Sequence, residues 1–185
     1  SLEMIAEASS HRNIRLFRQE NAWSTTPLND ITNAKWELPT SDAVAQFNAV
    51  GYVFAEQLEK SLDVPIGIIQ CAWSMSTIQA WMPRETFSTQ FPDVKLPNIK
   101  GKEEDFGWLQ GTPTLLWNAM VNPWKDFPIA GVLWYQGEAN TPDAKLYGKL
   151  FPAMVNDWRK LFNNEKLPFY YAQLAPWKDT GCEKT

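Results

Sequence analysis

Apolar residues along the chain alternate between two periodicities, one typical of strands and one typical of helices. Residues 13–18 alternate apolar and polar side chains, as a half-buried strand does, and residues 64–73 and 129–135 are mainly apolar runs of the kind found in fully covered strands. A fourth strand is predicted over residues 168–174. The pattern therefore predicts four strands distributed over the whole length of the chain.

Helical spacing of apolar residues fills the intervals between these strands. A stripe of apolar side chains predicts a helix over residues 40–62, and the segment Thr-Ser-Asp marks its start. Further helices are predicted over residues 115–124 and 142–162, the last with a kink at Pro152. The stripe of the first helix consists of Val44, Phe47, Val50, Phe54 and Leu58.

The remaining segments have weaker patterns. One or two helical turns are predicted within residues 1–10, and residues 20–39 are predicted to be a loop. Residues 82–111 are charged, contain proline and lack periodicity, which predicts a long loop over a functional edge. The order of strands and helices predicts one α/β domain over residues 1–185, with a mainly parallel sheet.

Polar residues gather where the third predicted strand ends. Residues 131–140 are Gly-Val-Leu-Trp-Tyr-Gln-Gly-Glu-Ala-Asn, and the next helix begins at Thr141. In open α/β sheets, ligands bind at the carboxyl ends of the strands. We therefore expect a site at Gln136, Glu138 and Asn140, with Gly137 permitting a tight turn.

Charge and composition exclude several classes of partner. The net charge is −4 and the isoelectric point is about 5.1, which disfavours nucleic acid and anionic membrane surfaces. No apolar run is long enough to cross a membrane. One histidine and two cysteines leave almost no ligands for a transition metal, and no cofactor is predicted. Cys71 is expected in the core, and a disulfide with Cys182 is not favoured.

Ten tryptophans are many for a chain of 185 residues. Aromatic faces stack well on sugar rings, so carbohydrate binding is one interpretation, and packing inside the protein is the other. We favour packing for most of them and expect Trp81 and Trp134 in the core.

Several motifs together resemble one enzyme family. The segment Trp-Tyr-Gln-Gly-Glu-Ala-Asn at 134–140 resembles a conserved block of the sialate O-acetylesterases, which are SGNH-type serine esterases. This resemblance implies a three-layer α/β/α fold with a flavodoxin-like sheet, an O-acetylated carbohydrate as substrate, and a secreted or periplasmic location. Other segments that resemble the family, in the same order, are residues 13–17, 47–52, 72–81, 116–120 and 171–176.

The resemblance also implies two catalytic segments that this sequence does not contain. The family has a Gly-Gln-Ser-Asn turn with the nucleophile near the start of the domain and an Asp-x-x-His near its end. Here the first glycine is Gly51, and the only histidine, His11, is expected at the surface. We therefore expect a central portion of an esterase domain, incomplete at both ends and inactive alone.

Two strand-end turns supply the expected oxyanion donors. The resemblance assigns Gln136 or its neighbours to the oxyanion hole; the alternative is a structural amide that caps the loop. The backbone N–H of Ser74 is the second implied donor, in a turn where the family has Gly-Gly and this chain has Ser74-Met75. A positive φ at either position would be strained. Ser74 as a nucleophile is a disfavoured alternative, because no histidine follows it.

The other candidates have two interpretations each. Asn118 either binds substrate or stabilises its helix, and Asn140 either contacts substrate or precedes the helix start. Glu138 either orients a group near substrate or is a buried, paired carboxylate, and we favour the second. At the level of the molecule, the alternative to an esterase is a carbohydrate-binding or scaffold domain without catalysis. Exposed sheet edges also predict self-association.

Overall fold

The computed structural model describes residues 2–32 and 34–176. Residue Cys182, and with it any disulfide to Cys71, lies outside the described residues. The helices are α1 Leu2–Glu7, α2 Ser41–Ala45, α3 Ala49–Leu62, α4 Arg84–Gln90 and α5 Ala144–Leu161. The strands are β1 Ile14–Arg18, β2 Trp36–Glu37, β3 Ile66–Gln70, β4 Val132–Trp134 and β5 Phe169–Tyr171.

The strands are mainly parallel, and the predicted α/β class is confirmed. Strand β1 pairs in parallel with β3 from Ile14–Ile66 to Arg18–Gln70, and β4 pairs in parallel with β5. The short β2 is antiparallel to β1. Within the described residues these strands form two separate sheets, β2-β1-β3 and β4-β5, rather than one continuous sheet.

Helices cover both faces of the first sheet. Ile14 and Leu16 of β1 point into a core with Tyr52 and other side chains of α2 and α3. Phe17 directly follows Leu16 and points to the opposite face of β1, where it packs edge-to-face on Trp124 with ring centroids 4.9 Å apart. This alternation gives the helix–sheet–helix layering that the resemblance implied.

Tryptophans form the core beneath the second sheet. Trp134 of β4 packs edge-to-face against Trp81 and against Trp158 of α5, with centroids 6.5 and 6.1 Å apart. Trp81 and Trp134 are only 4% and 8% exposed, so their predicted place in the core is confirmed.

The predicted helix over residues 40–62 is divided in two. Thr40 caps α2 by accepting from Ala43 N, and Asn48 caps α3 by accepting from Gly51 N at 3.0 Å. The Asn48 side chain satisfies a free N–H of a new helix start, so the chain turns between the two segments although the apolar stripe continues. Helix α5 continues through Pro152, and its first turn is capped by Asp143.

Two predicted loops contain regular structure. Residues 20–39 include β2, which is only two residues long, and residues 82–111 include α4, which follows Pro83. Both elements are too short to show periodicity. The predicted helix over 115–124 is a π-helical turn, Trp117–Val121, followed by a 3-10 turn, Asn122–Trp124. None of the helices in the described ranges is long and apolar enough to span a bilayer.

Candidate active site

A contact between side chain and backbone joins the turns that follow β3 and β4. Gln136, two residues past β4, donates from Nε2 to the carbonyl oxygen of Ser76 at 2.9 Å. The same Nε2 donates to Asn140 Oδ1 at 2.8 Å. Both amide hydrogens of Gln136 are therefore engaged inside the protein.

Asn140 is the centre of this contact and is buried, with 7% exposure. Its Oδ1 also accepts from the backbone N–H of Ile78 at 2.9 Å, and its Nδ2 donates to Gln79 Oε1 at 2.8 Å. Gln79, Gln136 and Asn140 are called the amide cluster below. The cluster fixes the two strand-end turns relative to each other through four hydrogen bonds.

The backbone around Gln136 is also held in place. Tyr147 donates from its hydroxyl to the Gln136 carbonyl oxygen at 3.1 Å and accepts from Trp134 Nε1 at 3.2 Å. Burial raises the pKa of Tyr147, which keeps this hydroxyl protonated. Gly137 has φ +151°, and a Cβ there would lie 3.0 Å from the Leu174 side chain, so glycine is required.

Gln136 Oε1 is buried and has no hydrogen-bond partner among the described residues. A buried acceptor without a donor is costly, so this atom can receive a donor that the described residues do not supply. The present contacts match the structural interpretation of Gln136. An oxyanion role stays a prediction, and the side chain could donate to an oxyanion only by releasing Ser76 or Asn140.

The turn after β3 carries the expected strain at one position. Ser74 is exposed, whereas Met75 has φ +62° in the left-handed region and is 68% exposed. Met75 stands at the second glycine of the Gly-Gly pair implied by the resemblance. The cost of a side chain in this region therefore falls on Met75 and not on Ser74.

Two further candidates differ in their surroundings. Glu138 is exposed, so the favoured interpretation of a buried, paired carboxylate is wrong. It lies in a 3-10 turn that carries its side chain outward, and its backbone carbonyl accepts from Thr141 Oγ1. Asn118 is 3% exposed and donates from Nδ2 to the Ser24 carbonyl at 3.0 Å, which stabilises the loop of residues 24–28. Substrate contacts for both residues stay predictions.

His11 is not at the surface as expected, because it is only 8% exposed. Its Nδ1 lies 2.6 Å from Glu59 Oε2 and its Nε2 lies 2.9 Å from Glu56 Oε1. Two glutamates on successive turns of α3 thus enclose the ring, and only the fold brings them to His11. With both nitrogens engaged, this imidazole is not available as a base for Ser74.

The site also uses residues that the sequence did not single out. Gln79 and Ser76 lie within the matched segment 72–81, which was the only available signal for them. Tyr147 lies on the helix after the site, and nothing in the sequence connected it to the Gln136 carbonyl. The backbone N–H of Thr77 donates to the Gln110 carbonyl at 3.2 Å, which places the end of the 82–111 segment beside the turn.

A family model described as carbohydrate esterase, sialic acid-specific acetylesterase, matches residues 3–185. The chain belongs to this family. Among relatives, the mouse sialate O-acetylesterase is 27% identical, with 94% of this chain and 39% of that protein aligned. The human sialate O-acetylesterase is 26% identical over 86% of this chain and 31% of that protein.

A solved structure shares the fold of this family member. The crystal structure of a carbohydrate acetylesterase from Xanthomonas citri superposes with a TM-score of 0.77 and 33% sequence identity, covering 91% of this chain and 35% of that one. The chain thus spans about two fifths or less of the length of these relatives. The resemblance to the sialate O-acetylesterases is confirmed.

Proposed function

We propose that this chain is the central portion of one carbohydrate O-acetylesterase domain that hydrolyses O-acetyl esters on sugars. Family membership supports the reaction class, and the relatives' names support a carbohydrate substrate. The observation that carries the proposal is the amide cluster, which brings Gln136 and the Ser74–Ser76 turn together at the carboxyl ends of β3 and β4.

The proposed reaction is acyl transfer through a serine. A serine hydroxyl attacks the acetyl carbonyl while a histidine accepts its proton, and the tetrahedral intermediate collapses to release the sugar hydroxyl. Water then cleaves the acetyl-enzyme. In this chain, the proposed oxyanion donors are the backbone N–H of Ser74, which is an exposed residue, and the Gln136 amide once it has released Ser76 or Asn140. Glu138, Asn118 and Asn140 are proposed as substrate contacts or supports.

We further propose that the chain alone does not turn over substrate. The family's nucleophile and histidine segments have no match here, and the one histidine, His11, is engaged by Glu56 and Glu59. The relatives are longer than the matched region, so the missing groups are proposed to come from segments outside it.

Hydrolysis of 4-nitrophenyl acetate tests these proposals. The 185-residue chain, its Ser74→Ala and His11→Ala variants, and a domain that also contains the two family segments are compared. We expect turnover only in the longer domain, with acetate released from O-acetylated sugars. Turnover by the short chain that Ser74→Ala abolishes would instead place the nucleophile at Ser74.

A non-catalytic carbohydrate-binding domain is the second candidate. It is favoured by Met75 at φ +62° and by the engagement of both Gln136 amide hydrogens. Sugar binding by the longer, folded domain without acetate release would support this alternative. Acetate release would exclude it.

A further inference from the structure

A buried group of ionisable side chains lies at the amino ends of β1 and β3, away from the carboxyl ends that carry the candidate active site. Glu56 and Glu59 of α3 enclose the His11 ring, with Nε2 2.9 Å from Glu56 Oε1 and Nδ1 2.6 Å from Glu59 Oε2. His11 and Glu56 are each only 8% exposed. The Asn13 backbone N–H donates to the second Glu59 oxygen at 3.2 Å. We call His11, Glu56 and Glu59 the His11 cluster.

The short contacts at both ring nitrogens require one more proton than a neutral imidazole between two carboxylates has. A neutral imidazole has a single N–H, so its other nitrogen is an acceptor, and an ionised carboxylate is an acceptor only. Two acceptors at 2.6 or 2.9 Å repel each other unless a proton lies between them. The observed geometry therefore holds when the His11 cluster shares one added proton, which leaves it with one negative charge instead of two.

No other described side chain forms an ion pair with the two glutamates of the cluster. Tyr52 packs edge-to-face on the His11 ring, and burial, followed by the charges of Glu56 and Glu59, raises the pKa of Tyr52 to about 12. Tyr52 therefore keeps its proton, and a proton lost near neutral pH comes from the cluster. The other described charged side chains on the surrounding elements are exposed: Glu7, Arg12, Arg15, Arg18, Asp42, Lys60 and Asp63.

The His11 cluster holds the turn of residues 10–13, which joins the first helical segment to β1. The Ile14 N–H donates to the His11 carbonyl oxygen at 3.2 Å, and the Ile66 N–H of β3 donates to the Asn13 carbonyl oxygen at 3.0 Å. The contacts of α3 with His11 and Asn13 therefore fix this turn against the start of both strands. In a longer domain, the proposed nucleophile segment precedes this turn.

We propose that the His11 cluster is a proton-dependent clamp that positions the segment before β1. With the shared proton bound, α3 holds the turn of residues 10–13; once the proton is lost, one contact between nitrogen and carboxylate becomes repulsive and the turn loosens. Because the folded cluster binds a proton that an unfolded chain releases more readily, its contribution to stability is lost as the pH rises through the imidazole range. The effect on the nucleophile segment rests on the proposed function.

The chain has a single histidine, so its ring can be observed without ambiguity. Nitrogen NMR of the 185-residue chain shows whether both His11 nitrogens carry a proton, and hydrogen exchange of the Ile14 amide shows whether the turn is closed. Between about pH 6 and about pH 8.5, we expect His11 to lose one N–H and the protection factor of Ile14 to fall about 10-fold or more. The Ile78 amide, which donates to Asn140, is the reference and is expected to keep its protection factor.

Glu56→Gln separates the shared proton from the shape of the cluster. A glutamine amide can donate to the unprotonated Nε2 of His11 while Nδ1–H donates to Glu59, so the clamp no longer needs the added proton. We expect this variant to protect Ile14 equally at both pH values. Glu7→Gln removes an exposed carboxylate from the same segment and is expected to keep the pH dependence of the natural chain. Constant protection of Ile14 in the natural chain, or a pH dependence that Glu56→Gln leaves in place, would overturn the inference.

The positioning role is tested in the longer domain by acetate release from O-acetylated sugars. We expect Glu56→Gln and the natural sequence to have equal kcat at about pH 6. At about pH 8.5 we expect the natural kcat to be about 3-fold or more below that of Glu56→Gln with equal KM, because a loosened turn misplaces the nucleophile and not the bound sugar. Equal kcat at both pH values would overturn the positioning role. An absence of acetate release from every variant would count against the proposed function, and the NMR measurements on the shorter chain decide the clamp separately.

Discussion

Met75 has a backbone conformation that favours glycine, and it stands where the resemblance implies the second glycine of a pair. A side chain at φ +62° costs about 1–2 kcal/mol, of which the greater flexibility of glycine in the unfolded chain offsets about 0.5–1 kcal/mol. We therefore expect Met75→Gly to raise the free energy of unfolding by about 0.5–1 kcal/mol, measured by urea denaturation. Met75→Ala is the control, because it keeps the Cβ, and an equal gain from alanine would contradict strain as the cause.

Asp157 on α5 carries a pH-dependent contribution to stability. The carboxylate is 7% exposed, and burial raises its pKa although Thr86 Oγ1 donates to it at 2.7 Å. With a raised pKa in the folded state, the contribution to stability is present below the ordinary carboxyl pKa and is lost as the pH rises through the raised value. At neutral pH, the cost of burying the charged Asp157 carboxylate therefore lowers the free energy of unfolding.

Asp157→Asn removes this charge and keeps an oxygen to accept from Thr86. We expect the variant to gain on the order of 1 kcal/mol over the natural chain at pH 7 and little or nothing at pH 3, by urea denaturation at both values. Thr86→Val changes the other partner of the hydrogen bond. It leaves the Asp157 carboxylate without its donor and is expected to destabilise the protein at pH 7. A gain from Asp157→Asn that is the same at both pH values would contradict this account.

Between elements, the amide cluster connects the turn after β3 to the turn after β4. Asn140→Leu keeps the approximate volume but removes the acceptor of the Ile78 N–H and the donor to Gln79 Oε1. Gln136 Nε2 also loses one of its two acceptors and keeps the Ser76 carbonyl, so we expect a cost of about 2–4 kcal/mol. Asn140→Asp keeps both acceptor contacts, and the Gln79 amide can rotate to donate to the new carboxylate.

Urea denaturation and hydrogen exchange of the Ile78 amide measure the effect of these two variants. We expect Asn140→Leu to destabilise the protein and to accelerate hydrogen exchange at the Ile78 amide. At neutral pH, Asn140→Asp is expected to keep most of the stability and most of the protection of that amide. An aspartate variant as unstable as the leucine variant would show that volume, rather than hydrogen bonding, is what this position requires.

Helices and strands could be predicted from the sequence where the burial of one face gives apolar residues a regular spacing. The alternation of 13–18 and the apolar runs at 64–73 and 129–135 gave β1, β3 and β4, whose side chains face the two cores. The division between α2 and α3 was missed because one capping residue, Asn48, overrides a continuous stripe. Short elements such as β2 and α4 hold too few residues to show a period.

The candidate site was predictable only within one sequence block. Gln136 and Asn140 are four residues apart, so their proximity follows from the turn. The burial of His11 depends on Glu59, 48 residues away, and the contact between Gln136 and Ser76 spans 60 residues. Contacts of this range depend on how the layers pack, which periodicity does not reveal.

Across the whole molecule, the division into two sheets leaves strand edges unpaired within the described residues. Strand β5 pairs only with β4 there, and its Tyr170 and Tyr171 are 59% and 66% exposed. An edge strand with exposed aromatic side chains is a template for pairing with a second chain. The β4-β5 sheet has strands of only three residues, which limits the strength of pairing at the β5 edge, so association through this edge should require high concentration.

Light scattering across a concentration series tests this expectation. We expect the mean mass of the natural chain to rise with concentration and Tyr171→Lys to reduce the rise, because an edge lysine must lose hydration to enter a paired sheet. Tyr135→Lys is the matched control, since Tyr135 is similarly exposed at 55% but lies just beyond β4. A mass independent of concentration would exclude edge pairing, and an equal effect of both lysines would point to a general effect of charge on solubility rather than to the β5 edge.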